Sequence, residues 1–209
     1  MSARVRDVVL ALVGLGGLAL TSLAVDPVNV AALERSSFHA LNGMPDALYR
    51  PLWPVMQLGN LLAAPAVGVV ALAARRYRLA AACLLVTGGK MVVTRVVKDI
   101  VVRSRPAAII DDVIRRDAPA AGQAFVSGHA VVAVALAVLV HPYLGARGRL
   151  VVWSLAALVC AARVYVGAHL PLDVVGGAFL GLALGSAVNA LVGTPAAVEG
   201  STGEVVPGG

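Results

Sequence analysis

The sequence predicts an all-α, polytopic membrane helix bundle, and three observations carry that prediction. Apolar residues make up 59% of the 209-residue chain and charged residues only 13%, with a mean hydropathy of +0.88. A water-soluble domain of this size carries roughly twice that charge. The apolar residues gather into runs near the ~20 residues needed to cross a bilayer. Arginines then mark alternate connections between those runs.

The first run, Val8–Val25, follows Arg4 and Arg6, a layout shared with signal peptides. It is longer than a signal core and Ser22-Leu23-Ala24 is a poor cleavage site, so it reads as a retained first membrane helix. Residues 26–52 are a polar connection in which Val30, Leu33, Phe38 and Leu41 predict a short amphipathic helix at the membrane interface. Five further spans follow at Trp53–Ala74, Leu79–Val102, Ser127–Leu144, Leu150–Gly167 and Leu172–Val192. Pro65 and Pro142 are expected to kink or end their helices. Gly176-Gly177, Gly181 and Gly185 give the last span a small-residue stripe suited to helix packing within the subunit. The expectation is therefore a six-span membrane domain over residues 1–193 and a disordered tail over residues 194–209, rich in Gly, Pro and small polar residues.

Cys83 and Cys160 lie inside apolar runs and read as small hydrophobes, with no disulfide framework or metal-binding spacing. The net charge of +6 does not point to nucleic acid, because in a membrane protein the distribution of charge between loops matters more than its total. Arg4 and Arg6, then Arg75, Arg76 and Arg78, then Arg147 and Arg149 fall on one side of a six-span layout, which is the cytoplasmic side by the positive-inside rule. Loops 26–52, 103–126 and 168–171 face the other way. The middle one carries Arg103, Arg105, Arg115 and Arg116 against Asp111, Asp112 and Asp117, and a basic outer loop asks for a functional reason.

Three segments on that outer side carry chemistry. In Lys98-Asp99-Ile100-Val101-Val102-Arg103-Ser104-Arg105-Pro106, Lys98 and Arg105 are about 20° from two complete helical turns apart, so a continuing helix points both the same way. Arginine grips phosphate oxygens bidentately and lysine adds a mobile charge. In Phe125-Val126-Ser127-Gly128-His129, Ser127 is placed to cap a helix whose free N–H groups attract anions, Gly128 permits close backbone approach, and His129 stands at the rim. In Arg163 to Asp173, Pro171 suits a first helical turn. His169 and Asp173 share a face if that helix reaches back to His169. A carboxylate bonded to one ring nitrogen leaves the other free to attack. Taken singly, each segment also reads as snorkelling cations or polar helix ends. Together they place three cations, a helix N-terminus and two histidines on one face, a set suited to a tetrahedral phosphate dianion.

Lys90 sits near mid-span after Gly88-Gly89, where a lone cation is costly; it reads as facing a polar interior or snorkelling. Arg95 is one turn before Lys98, placed either to support the site from behind that residue or to pair with Asp99. His39 and His141 are set aside as interfacial residues.

The three segments together resemble the type 2 phosphatidic acid phosphatase superfamily, whose signature reads KxxxxxxRP, then PSGH, then SRxxxxxHxxxD. The first part is complete at Lys98, Arg105 and Pro106. The second is present at Ser127, Gly128 and His129, with Val126 in place of proline. The third is present at Arg163, His169 and Asp173, with Ala162 in place of serine. The resemblance implies a metal-independent membrane lipid phosphatase needing no cofactor. In it His169 is the nucleophile that becomes a phosphohistidine, Asp173 orients it and His129 acts as acid and then base. Lys98, Arg105, Arg163, Ser127 and Gly128 hold the phosphate. The implied substrate is a phosphate monoester or pyrophosphate on a lipid, of the polyprenyl pyrophosphate, phosphatidic acid or phosphatidylglycerol phosphate type, met at the extracytoplasmic face of the cell membrane. Two alternatives stay open from the residues: transfer of the phosphoryl group to an alcohol, and non-catalytic binding of anionic lipid.

Overall fold

A computed structural model describes residues 2–195, so the tail expected to be disordered lies almost wholly outside the described residues. Eight α-helices make up most of the described chain: α1 (Ala3–Ala24), α2 (Ala32–Asn42), α3 (Tyr49–Met56), α4 (Ala63–Ala73), α5 (Tyr77–Ile100), α6 (Gly128–Val140), α7 (Ala146–Tyr165) and α8 (Pro171–Val192). Among the described residues the extended pairing is a single bridge between Ser104 and Gln123. The all-helical class is as the sequence predicts.

Four helices, α1, α5, α7 and α8, are long and apolar enough to cross a membrane. Their outward faces carry exposed large hydrophobics, among them Leu12 and Leu20 on α1, Leu84 and Val92 on α5, and Leu150 on α7. Such a belt matches hydrocarbon rather than water.

The second and fourth expected spans take other forms. In place of a continuous Trp53–Ala74 helix there are two pieces, Asp46–Gly59 and Ala63–Ala73, bent by 67°. The break precedes Pro65 instead of falling at it. Proline has no N–H and is best accommodated in a helix's first turn; α4 begins at Ala63 and carries Pro65 in that turn, whereas α3 carries Pro54 in its interior. Asn60 Oδ1 accepts from the Leu62 N–H across the break.

The fourth is short. α6 runs only from Gly128 to Val140, with a 3₁₀ turn extending it to Tyr143. All ten positions from Ala130 to Leu139 are buried, so α6 is the bundle's central helix. A helix enclosed by others is apolar on every side, which hydropathy alone reads as an ordinary span.

Small residues allow the close packing around this centre. A Cβ on Gly181 would lie 2.6 Å from Val131 O, and one on Gly185 3.0 Å from Ala135 O, so α8 rests directly on the backbone of α6. α1 packs on the other side of α8, with Gly14 against the Ala183 backbone and Gly17 against the Phe179 ring. The stripe in the last helix thus serves packing within the subunit, as expected.

The polar connection folds as α2, which buries Phe38 and exposes Leu33. Asn42 at its end donates to the Ile114 and Tyr165 carbonyls and accepts from the Ile114 N–H. Arg116 donates to the Asn42, Met44 and Tyr165 carbonyls and to Asp46, and lies 4.2 Å over the Tyr165 ring. These bonds tie α2, the 101–127 loop and the end of α7 into one cap over the bundle. They also explain part of the basic outer loop: Arg116 is a structural cross-link.

The packing makes a direct prediction. Gly181→Ala forces α8 off α6 and should lower stability by ~1–3 kcal/mol, read as an earlier thermal unfolding transition in detergent. Gly16→Ala, whose Cβ would meet nothing within 4 Å, is the control and should leave that transition unchanged or raise it.

Candidate active site

The cap end of the bundle brings the three motif segments together. α5 delivers Lys98 in its last turn. The chain then leaves the helix at Val101, so Arg105 does not continue the helical face; it is carried round by the loop. Lys98 Nζ donates to Gln123 O at 2.7 Å, while Arg105 donates to Ala121 O at 3.1 Å and to Ala168 O at 2.9 Å. Both cations therefore face one short stretch of loop, and Arg105 reaches the residue next to His169.

Ser127 occupies the N-cap position of α6, as expected, but its hydroxyl makes no capping bond. Oγ is fully buried and has no protein partner among the described residues. The Ser127 N–H donates to Asp173 O at 2.9 Å, which fixes the start of α6 beside the start of α8. Gly59, at the end of the bent second element, lets that element lie directly against His129: a Cβ there would be 2.8 Å from His129 O.

The last segment depends on a turn that only glycine adopts without strain. Gly167 has φ +75°, and a Cβ there would lie 2.7 Å from Ile114 O. The Gly167 and Ala168 N–H groups bond back to Val164 and Arg163, ending α7 and placing His169 at the mouth of α8. Pro171 occupies the first turn of α8, as expected. The helix does not extend back to His169. Its Nδ1 lies 3.9 Å from Asp173 Oδ2, beyond hydrogen-bonding distance, and has no other protein partner.

The reason is that Asp173 is already engaged. Oδ2 accepts the Leu170 N–H at 2.8 Å, capping α8, and Oδ1 accepts from Arg103 at 3.1 Å. Arg103 is 1% exposed and grips Glu34 of α2 with two bonds, 2.6 and 3.0 Å. Sequence reasoning missed this pair. Arg103 read as one of several outer-loop cations, and Glu34 was one acid in an amphipathic helix. The signal for Glu34 was a carboxylate on α2 only four residues before the buried Phe38.

The electrostatics are strongly cationic. Burial, then the positive charges of Arg163, Arg105 and Lys98 and the neighbouring His129, hold the His169 imidazole well below its ordinary value. Arg163 donates only a weak contact to Met56 Sδ, and its Nε is buried without a protein partner. Lys90 faces inward: a Cβ at Gly128 would be 3.3 Å from its Nζ, so its ammonium lies at the start of α6. The Arg95–Asp99 ion pair suggested by spacing does not form. Among the described residues no group of three His, Cys, Asp or Glu side chains is placed to hold a metal ion. His39 packs edge-on to Phe38, and His141 accepts from Trp153 Nε1 at 3.2 Å; His141 lies beyond α6's far end, away from this site.

In chemical terms the geometry offers a neutral imidazole, cations from three elements, and buried polar atoms on Ser127 and Arg163 that no protein group satisfies. Buried polar groups are costly unless paired. A tetrahedral oxyanion would supply the acceptors for Ser127 and Arg163.

Two crystal structures share the fold. Aquifex aeolicus LpxE aligns with TM-score 0.69 at 22% identity, over 76% of this chain and 95% of its own. A PAP2-type phosphatidylglycerolphosphate phosphatase from Bacillus subtilis aligns with TM-score 0.68 at 22% identity, over 87% of this chain and 94% of its own. No curated protein matches the sequence. A model of the PAP2 superfamily matches residues 79–195, from α5 to the end of the described chain, and so takes in all three motif segments. On that match, over more than half of its length, the chain belongs to the PAP2 superfamily.

Proposed function

We propose that the protein is a metal-independent lipid phosphatase working through a phosphohistidine. The reading is carried by the convergence, around His169, of Lys98, Arg105, His129 and Arg163 from separate elements, with no carboxylate among the described residues placed to neutralise them except Asp173, itself held by Arg103. Such a site suits a phosphate dianion, whose charge rises further in the transition state.

His169 Nε2 attacks phosphorus while Nδ1 faces Asp173. A P–N bond forms, the P–O bond to the lipid breaks, and His129 gives its proton to the leaving oxygen. His129 then takes a proton from water as the water oxygen bonds to phosphorus; the P–N bond breaks, phosphate leaves and His169 is restored. Lys98, Arg105 and Arg163, with the Ser127 hydroxyl and the amides at Gly128, hold the equatorial oxygens throughout. Val126 and Ala162, the two departures from the family signature, contribute none of these groups.

A site at the bundle's end, with its helices wrapped in exposed apolar side chains, suits a substrate whose phosphate lies at headgroup level and whose tail stays in the bilayer. The proposed substrates are accordingly a polyprenyl pyrophosphate, phosphatidic acid or phosphatidylglycerol phosphate. The proposed arrangement has six membrane passes, with the bent α3–α4 element and the short α6 as two of them and α2 at the interface. The site then faces the extracytoplasmic side, opposite Arg4, Arg75 and Arg147.

Three outcomes test the reading. His169→Ala should abolish phosphate release from a panel of these lipids, at least ~10³-fold, while the thermal transition is retained; undiminished turnover would remove His169 from the mechanism. The nucleophile must be neutral, and a depressed value keeps it so below its ordinary 6.5. After correction for substrate ionisation, kcat/KM should therefore show its His169 acidic limb below pH 6.5, and a limb at or above that pH contradicts the buried, cation-surrounded setting. Finally, Ala121→Cys, on the exposed loop, should react with an impermeant thiol reagent in intact cells; labelling only after lysis would reverse the orientation.

A further inference from the structure

We propose that Glu34 and Arg103 are positioning residues for the reaction: Arg103 locks the Asp173 carboxylate, and Glu34 cancels the charge of Arg103 so that Asp173 remains an effective anion toward His169. The proposal rests on the phosphatase reading above.

The geometry is specific. Arg103 Nη2 and Nη1 donate to the two oxygens of Glu34 at 2.6 and 3.0 Å, and Nη1 also donates to Asp173 Oδ1 at 3.1 Å. Both carboxylates also take N–H groups from the start of α8: Glu34 Oε1 from Leu172 at 2.9 Å, and Asp173 Oδ2 from Leu170 at 2.8 Å. Asp173 is therefore held at both oxygens, with Oδ2 turned toward His169 Nδ1 at 3.9 Å. A small approach of the ring closes a hydrogen bond, and the carboxylate need not move.

Charge gives the arrangement its purpose. When Nε2 bonds to phosphorus, His169 acquires imidazolium character among Arg163, Arg105, Lys98 and His129. That cation needs a nearby net negative charge. Asp173 and Arg103 alone sum to zero; with Glu34 the buried trio sums to minus one. Arg103 alone would fix Asp173 and neutralise it. Glu34, from a helix far away in sequence, restores the charge that the imidazolium requires. Its value is largest in the transition state and intermediate, so its loss falls on kcat rather than on substrate binding.

The test uses the full-length protein in detergent, with dioleoyl phosphatidic acid and a polyprenyl diphosphate as probes. Glu34→Gln keeps the shape and removes the charge. It should lower kcat by about tenfold to a hundredfold, as for other groups that orient a working histidine, with KM within about threefold. Arg103→Met should also lower kcat. The double variant restores a net charge of minus one, from Asp173 alone, and should be no slower than the slower single variant, because the two residues act as a unit. Glu34→Asp keeps the charge and should retain more activity than Glu34→Gln; it also stands in should the glutamine variant fold poorly. Unchanged kcat in Glu34→Gln, or losses that multiply in the double variant, would overturn the proposal while leaving the phosphatase reading intact. Absence of turnover by the unaltered protein on every lipid phosphate would instead overturn the phosphatase reading, and this inference with it.

Discussion

The burial of Arg103 between two carboxylates is the contact on which the cap end of this molecule depends. A guanidinium at 1% exposure is tolerable only when paired and hydrogen-bonded on several sides. Glu34 and Asp173 occupy its two terminal nitrogens, one acid from α2 and one from α8, while Nε is buried without a protein partner among the described residues. The same ion pairs therefore fix where α2 crosses the bundle, how the 101–127 loop leaves α5, and where α8 begins. Removing either acid leaves the buried cation with a single carboxylate partner, so the three elements are coupled.

Below this cap the architecture is governed by closeness of approach. In hydrocarbon there is no hydrophobic drive to bring apolar helices together, and association rests on packing. Gly181 and Gly185 let α8 touch the backbone of α6, Gly14 lets α1 do the same to α8, and Gly17 leaves room for the Phe179 ring. The result is a central helix wholly enclosed by protein. Its N-terminus opens into the site beside Ser127, His129 and Lys90, so the helix that anchors the bundle also presents its positive end to the proposed phosphate.

The site joins opposite electrostatic characters. Cations gather on the side where a phosphate would lie, and a net negative trio stands behind the nucleophile. His169 sits at the boundary and is kept neutral by burial and by its cationic neighbours. That is the protonation state a nucleophilic imidazole needs. In the proposed mechanism, the carboxylates behind it answer the positive charge that arises when phosphorus is attacked.

Much of this was legible in the chain. Hydropathy alone determined the all-helical membrane class, because a bilayer leaves the backbone few alternatives. Local spacing singled out Lys98, Arg105, Ser127, Gly128, His129, Arg163, His169 and Asp173, because motif residues lie within short segments whose order survives folding. The stripe from Gly176 to Gly185 likewise announced close packing. Tertiary structure decided what depends on neighbours distant in sequence. α6 is buried along its length because other helices enclose it, and the second element breaks ahead of Pro65 and not at it. Arg105 meets Lys98 through a loop instead of along a helix. Arg103 changed from an exposed loop cation to a buried bridge, because its partners Glu34 and Asp173 lie 69 and 70 residues away. No periodicity or local motif reports a contact at that separation, since its energy exists only once the helices have packed.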